Sequence, residues 1–260
     1  ARGITDDNIP FGINTDTEGR IYLNAQSWAM LSGAADSIQI NEIIKQINTQ
    51  LMTPFGVMML APSYTKMRDD VGRITQKHPG VSENGSVYNH AAIFYAFSLY
   101  SQGKADLAFD VLMKMLPNDI DQKKRGQLPI FIPNYYRGAY HQFPEMAGRS
   151  SQLFNTGTVS WFYRCLVEGL CGLKGDKGGL VVKPQLPKHW PNIKVIRHFQ
   201  GAVFNVEIIQ SHTVGKTKLV LDDKELRGTK ISNIIKSEKE GIKFKQDFDE
   251  IKKKVNELTS

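Results

Sequence analysis

Two long stretches, residues 52–88 and 117–156, are rich in glycine, proline, tyrosine and charged side chains and lack a helical period, and each is bracketed by segments that have one. Loops of this length inside one compact domain are uncommon and are often functional. Helices are read at 24–32, 38–51, 89–102, 104–116 and 158–172. In the second, Ile38, Ile40, Ile43, Ile44, Ile47 and Leu51 recur mostly at steps of three and four. Gly103 stops the third helix, and the fourth follows at once with Leu107, Val111, Leu112, Met115 and Leu116 on one stripe. These two form a helical hairpin with a very short turn. Helix pairs with polar loops gathered at one end predict a mainly α protein, an α/α barrel that binds something polar.

The pattern changes near residue 176. Gly178 to Val182 begins a β-like region, Val203 to Ile209 and Lys218 to Leu221 have strand composition, and Asp222-Asp223-Lys224 reads as a hairpin tip. This divides the chain into a helical part over 1–176, a small β-domain over 177–235 and a lysine-rich tail over 236–260, with a weak helix expected around Phe248 to Leu258.

Composition narrows the function classes. Hydrophobic residues make up 41% and charged residues 23% of 260, enough apolar material for an ordinary core. No apolar run approaches the roughly 18 residues a membrane helix needs, and the front carries no secretory signal. The chain opens on Ala1-Arg2-Gly3-Ile4 without methionine, which suggests a piece of a longer protein. The net charge of +7 is concentrated: residues 180–235 hold 9 basic against 4 acidic side chains. They are spread out, without a nucleic-acid motif, so neither a nucleic-acid nor a membrane partner is expected. Cys165 and Cys171 read as buried thiols of a reducing compartment, with no cluster to hold a metal.

Three clusters carry possible chemistry. The first, Tyr64 to His90, places Arg73 and Lys77 four residues apart, with Glu83 and Asn84 following. The two cations are either solvated loop charges or a grip on a carboxylate or phosphate. His90 opens an apolar helix, as a hydrogen-bonded core residue or as a ligand-binding one. The second cluster, Gly148 to Thr158, leads into a helix. Thr156 reads as its N-cap, and Gly157 allows close approach to backbone N–H groups that favour anions. The third, Pro133 to Gln142, holds Tyr135, Tyr136 and Tyr140 and either lines a sugar site or packs a turn.

The runs Glu18-Gly19-Arg20-Ile21-Tyr22-Leu23-Asn24-Ala25-Gln26-Ser27-Trp28, Tyr64-Thr65-Lys66, Pro79-Gly80-Val81, Glu83-Asn84-Gly85-Ser86-Val87-Tyr88-Asn89-His90-Ala91-Ala92 and Asn155-Thr156-Gly157-Thr158 resemble, in order and spacing, the inverting disaccharide phosphorylases of glycoside hydrolase family 94. The resemblance covers about residues 1–225. It implies the later helices of an (α/α)6 barrel followed by a small C-terminal β-domain, a cytoplasmic homodimer, and no metal or organic cofactor, with inorganic phosphate as co-substrate. It further implies that His90, Thr156 and Gly157 cradle phosphate and that Glu83 binds sugar hydroxyls. The family's general-acid Asp sits in a Gly-Asp-Trp-Asn-Asp-like motif that is absent here, so the resemblance places no catalytic residue in this chain and implies that the chain alone is inactive.

Arg68 to Lys77 looks most like the members that act on cellobionic acid, 4-O-β-glucosyl-gluconate. That implies a carboxylate-binding role for Arg73 and Lys77. Other readings stay open: a phosphorylase of cellobiose or N,N′-diacetylchitobiose, in which Arg73 and Lys77 are surface charges, or a non-catalytic carbohydrate-binding module.

Overall fold

The computed structural model describes residues 1–116, 125–126, 132–151, 154–210, 218–222 and 224–232. The expected tail helix around 248–258 lies outside them. The chain forms two compact units that divide after Tyr163. This division lies ahead of the change in composition near residue 176, because the last helix runs on through a π-helical segment before strands begin.

Among the described residues, the first unit contains four complete α-helices, α1 (Leu23–Ser32), α2 (Ser37–Gln50), α3 (Asn89–Ser101) and α4 (Ala105–Met115), and most of a fifth, α5 (Thr158–Arg164). Their ends follow local chemistry. Asp36 and Gln39 form a reciprocal capping box at the start of α2, with side chain-to-backbone bonds of 2.8 and 2.9 Å. Gly33 and Gly103 take the left-handed conformation that ends α1 and turns α3 into α4. Helix α3 packs against α1 and α4. It buries Ala91, Ala92, Ile93, Tyr95, Ala96, Ser98, Leu99 and Tyr100, so it is apolar nearly all round, as an interior helix is. Helix α2 buries only Ile44 and Ile47 and leaves Ile38 exposed.

Short strands tie the long loops to the helix starts. Ile21–Tyr22 pairs with Leu60–Ala61, and Val87–Tyr88 pairs with Tyr135–Tyr136, which pairs in turn with Ser150–Ser151. The Tyr22 and Tyr64 hydroxyls meet at 2.7 Å in a cluster with Leu60. Burial raises both, Tyr22 well above the usual phenol range, so this is a pair of neutral hydroxyls.

Beyond α5 the chain widens into a π-helical segment, Cys165–Leu170, closed by the Cys171 N–H donating to the Leu166 carbonyl at 2.8 Å. The expected single helix over 158–172 is therefore two kinds of helix. The second unit then builds a three-stranded antiparallel sheet from Leu173–Asp176, Gly179–Val182 and Lys230–Ser232. A long hairpin joins Asn192–Phe199 to Ala202–Ile209 through Gln200 and Gly201, both at positive φ. A shorter one joins Leu219–Leu221 to Lys224–Leu226 at the expected tip.

Candidate active site

Three chain segments converge at the start of α3. Asn89 Nδ2 donates to the Pro133 carbonyl at 2.7 Å, and the Asn89 N–H to the Asn134 carbonyl at 3.0 Å. Asn155 Nδ2 donates to the Ile132 carbonyl at 2.9 Å. These amides bind the 132–136 segment to both His90 and Thr156, far apart in sequence.

His90 lies in the first turn of α3, half-buried. Its Nδ1 is 2.9 Å from Thr156 Oγ1 and 3.4 Å from the Tyr88 hydroxyl. Its other nitrogen lies against Gly157: a Cβ added at that glycine would come within 2.4 Å of Nε2. Any side chain there would have to displace the imidazole, and the reason is close approach rather than backbone conformation. Burial lowers the His90 pKa, favouring the neutral ring with one donor and one acceptor. The expected N-cap role of Thr156 is not what its side chain does. The Trp161 N–H bonds to the Gly157 carbonyl at 3.1 Å, which puts Gly157 at the cap position and leaves the Thr156 hydroxyl turned to the imidazole. Thr158 is fully buried at the first position of α5.

Aromatic rings wall the imidazole. Phe94 lies 5.0 Å from it and contacts Trp161 edge to face at 4.9 Å, and Trp28 is 5.2 Å from Phe94. On the other side stands Tyr88, stacked on Tyr135 at 4.4 Å with 13° between the rings. The hydroxyl of Tyr135 sits well above the usual phenol range through burial, with the Glu83 carboxylate and Tyr88 beside it. Glu83, exposed on its loop, thus faces the same tyrosine pair that reaches His90.

Arg73 and Lys77 stand farther along the first loop. Gly72, at positive φ, precedes a 3₁₀ turn over Arg73–Gln76, pinned by Thr75, whose hydroxyl accepts from the Arg68 N–H at 2.9 Å and donates to the Gly72 carbonyl at 2.8 Å. A 3₁₀ turn has about three residues per turn, so a four-residue spacing does not stack side chains as an α-helix would. Lys77 is half-buried and lines a cavity of about 420 Å³ with Thr65, Met67, Thr75, Gln76, His78 and Pro79; Arg73 is exposed and outside that lining. Asn84, with no exposed surface, holds this loop in place. Its Oδ1 accepts from the Tyr64 N–H at 2.8 Å, and its Nδ2 donates to the carbonyls of Tyr64 at 2.8 Å and Lys77 at 2.6 Å.

The structure brings His90, Thr156 and Gly157 together and leaves Glu83 on its loop beside Tyr135; sequence reading gave Tyr88 and Tyr135 no role of their own. The aromatic composition of 133–142 was the available signal. Gln142, in the same loop, pairs through both amide atoms with the Ser63 backbone at 2.7 and 3.1 Å. Among the described residues, no group of three or more His, Cys, Asp or Glu side chains is arranged to hold a metal ion, and no helix is long and apolar enough to cross a membrane.

Residues 1–172 match the model of the glycosyl hydrolase 94 superfamily, catalytic domain. Over 211 residues, 80% of this chain and 27% of its own length, the cellobionic acid phosphorylase of Neurospora crassa is 61% identical. A 3-O-beta-D-glucopyranosyl-beta-D-glucuronide phosphorylase of Paenibacillus borealis is 35% identical over 85% of this chain and 29% of its own. An N,N′-diacetylchitobiose phosphorylase of Vibrio proteolyticus is 29% identical over 83% of this chain and 27% of its own. The chain thus spans less than a third of each of these relatives.

Proposed function

The chain belongs to the glycosyl hydrolase 94 superfamily, and from that premise we propose that it is part of an inverting disaccharide phosphorylase that splits cellobionic acid into α-glucose 1-phosphate and gluconate. The observation that carries the reading is the junction of His90, Thr156 and Gly157, where an imidazole, a hydroxyl and a glycine backbone meet with 2.9 Å between the first two. Such a junction suits an oxyanion that must be held in line. A phosphate oxygen attacks the anomeric carbon, the glycosidic C–O bond breaks, and the leaving oxygen takes a proton from a general acid. Phosphate is already anionic, so no base is needed to activate it. The acid belongs, in this proposal, to a part of the intact protein outside this chain, and this chain alone is inactive. The reaction uses phosphate as co-substrate and no metal or organic cofactor.

Gluconate is the proposed acceptor product. Two of the relatives named above carry an acid in their substrate names, and a half-buried Lys77 on a cavity suits a carboxylate, where a neutral sugar gives no reason to desolvate a cation. A neutral acceptor, glucose or N-acetylglucosamine, is the second reading, and the exposed position of Arg73 favours it. Closure into an (α/α)6 barrel by helices outside this chain, a β-domain over 177–235, a homodimer and a cytoplasmic setting belong to the same proposal. The apolar side chains Trp28, Val159 and Tyr163, exposed on α1 and α5, support the first of these. The test supplies the intact protein with α-glucose 1-phosphate and competing gluconate, glucose and N-acetylglucosamine. Phosphate release that strongly favours gluconate supports the reading; preference for a neutral sugar discards the acid acceptor.

A further inference from the structure

Antiparallel pairing sets Tyr88 directly opposite Tyr135, and opposed residues on such a ladder present their side chains to the same face. The register therefore produces the stack at 4.4 Å. Tyr135 is buried and its strand is paired on both sides, so its ring is a fixed platform. Tyr88 rests on that platform and reaches His90, edge to face at 5.8 Å and 76°, with its hydroxyl 3.4 Å from Nδ1. Thr156 Oγ1 approaches the same nitrogen at 2.9 Å. Two hydroxyls meet Nδ1 and so fix the plane of the ring and the placement of Nε2, which lies against Gly157. At the other end of the pair, the Glu83 carboxylate lies beside the Tyr135 hydroxyl.

We infer that Tyr88 and Tyr135 are a positioning pair that ties the imidazole holding phosphate to the carboxylate holding the sugar. Tyr88 sets the orientation of His90, and Tyr135 holds both Tyr88 and Glu83. The pair touches neither bond that breaks or forms. It fixes the separation between the attacking anion and the sugar it attacks, a quantity on which in-line displacement depends steeply. The inference deepens the phosphorylase reading of this site and rests on it.

The test measures separate KM values for phosphate and disaccharide in the intact protein. Tyr88→Phe keeps the ring and removes the hydroxyl. It is expected to raise the phosphate KM about two- to tenfold, the range of one lost hydrogen bond, with the disaccharide KM unchanged. Tyr135→Leu removes the platform and is expected to raise both constants, while Tyr135→Phe restores the phosphate KM because the stack remains. An active, folded Tyr88→Phe variant with an unchanged phosphate KM, or with both constants raised in parallel, overturns the inference. A wild-type protein that releases no phosphate with any acceptor overturns the phosphorylase reading itself, and the two failures are told apart by that control.

Discussion

Gly157→Ala isolates the close approach on which the site is built. The new methyl would lie 2.4 Å from His90 Nε2, 2.7 Å from Cε1 and 3.2 Å from Cδ2, so the ring must move. It has few places to go. Thr156 holds Nδ1 at 2.9 Å, and Phe94 and Tyr88 stand at 5.0 and 5.8 Å between ring centres. Overpacking of this kind costs about 1–3 kcal/mol, and losing the Thr156 bond costs about 1 kcal/mol more. The ring is only half-buried, so a tilt toward solvent relieves part of the clash and brings the total below that sum, to about 1–2 kcal/mol. In the intact protein this corresponds to roughly a five- to thirtyfold rise in the phosphate KM. Gly157 has no positive φ, so alanine also stiffens the unfolded chain and recovers about 0.4–1 kcal/mol of stability. The expected outcome is a large change in phosphate KM with a melting temperature within a few degrees of wild type. Initial rates against phosphate at saturating disaccharide, beside a thermal melt, read both. A folded variant with an unaltered phosphate KM would refute the reasoning.

Lys77→Ala should raise the KM for gluconate at least fivefold more than that for glucose in the synthetic direction, whereas Arg73→Ala, exposed and off the cavity, should do less; equal losses with both acceptors would remove the carboxylate role. Asn84→Ala strips partners from the Tyr64 N–H and from the carbonyls of Tyr64 and Lys77, so denaturant unfolding should show a loss of at least about 2 kcal/mol, with the gluconate KM raised as the loop relaxes. His90 is held below its ordinary pKa of 6.5 by burial. As pH falls through that value the unfolded chain takes up the proton first, so the native state loses stability toward acid; His90→Asn should flatten the stability–pH curve below about pH 6.5 and leave it unchanged above, which urea midpoints at several pH values would show.

The helices were legible because each carries its own period or stop: the isoleucines of α2, Gly103 after α3, the stripe of α4. Glu83, His90, Thr156 and Gly157 were legible as members of runs, but the meeting of the last three followed only from the resemblance and from no local pattern. His90 and Thr156 are brought together by Asn89 and Asn155 gripping a third segment, and such long-range hydrogen bonds leave no local pattern. Two-residue strands are equally silent, so the stack of Tyr88 on Tyr135 could not be read although both rings stood in marked loops. The local form of the Arg73–Lys77 segment was not legible: a four-residue spacing does not tell an α-helix from the 3₁₀ turn that Gly72 and Thr75 make here. The second strand of the long hairpin was read at Val203 to Ile209, but its partner Asn192–Phe199 was missed, although exposed and half-buried residues alternate along it up to Gln200-Gly201. The π-helical segment after Arg164 has no compositional mark at all.

The most direct test of the central claim is the identity and anomeric form of the sugar released when the intact protein meets cellobionic acid and inorganic phosphate, followed by phosphorus and proton NMR. Phosphate held at His90, Thr156 and Gly157 and attacking directly from the far face gives α-glucose 1-phosphate from a β-glucoside. Free glucose, or a β-phosphate, would contradict the account.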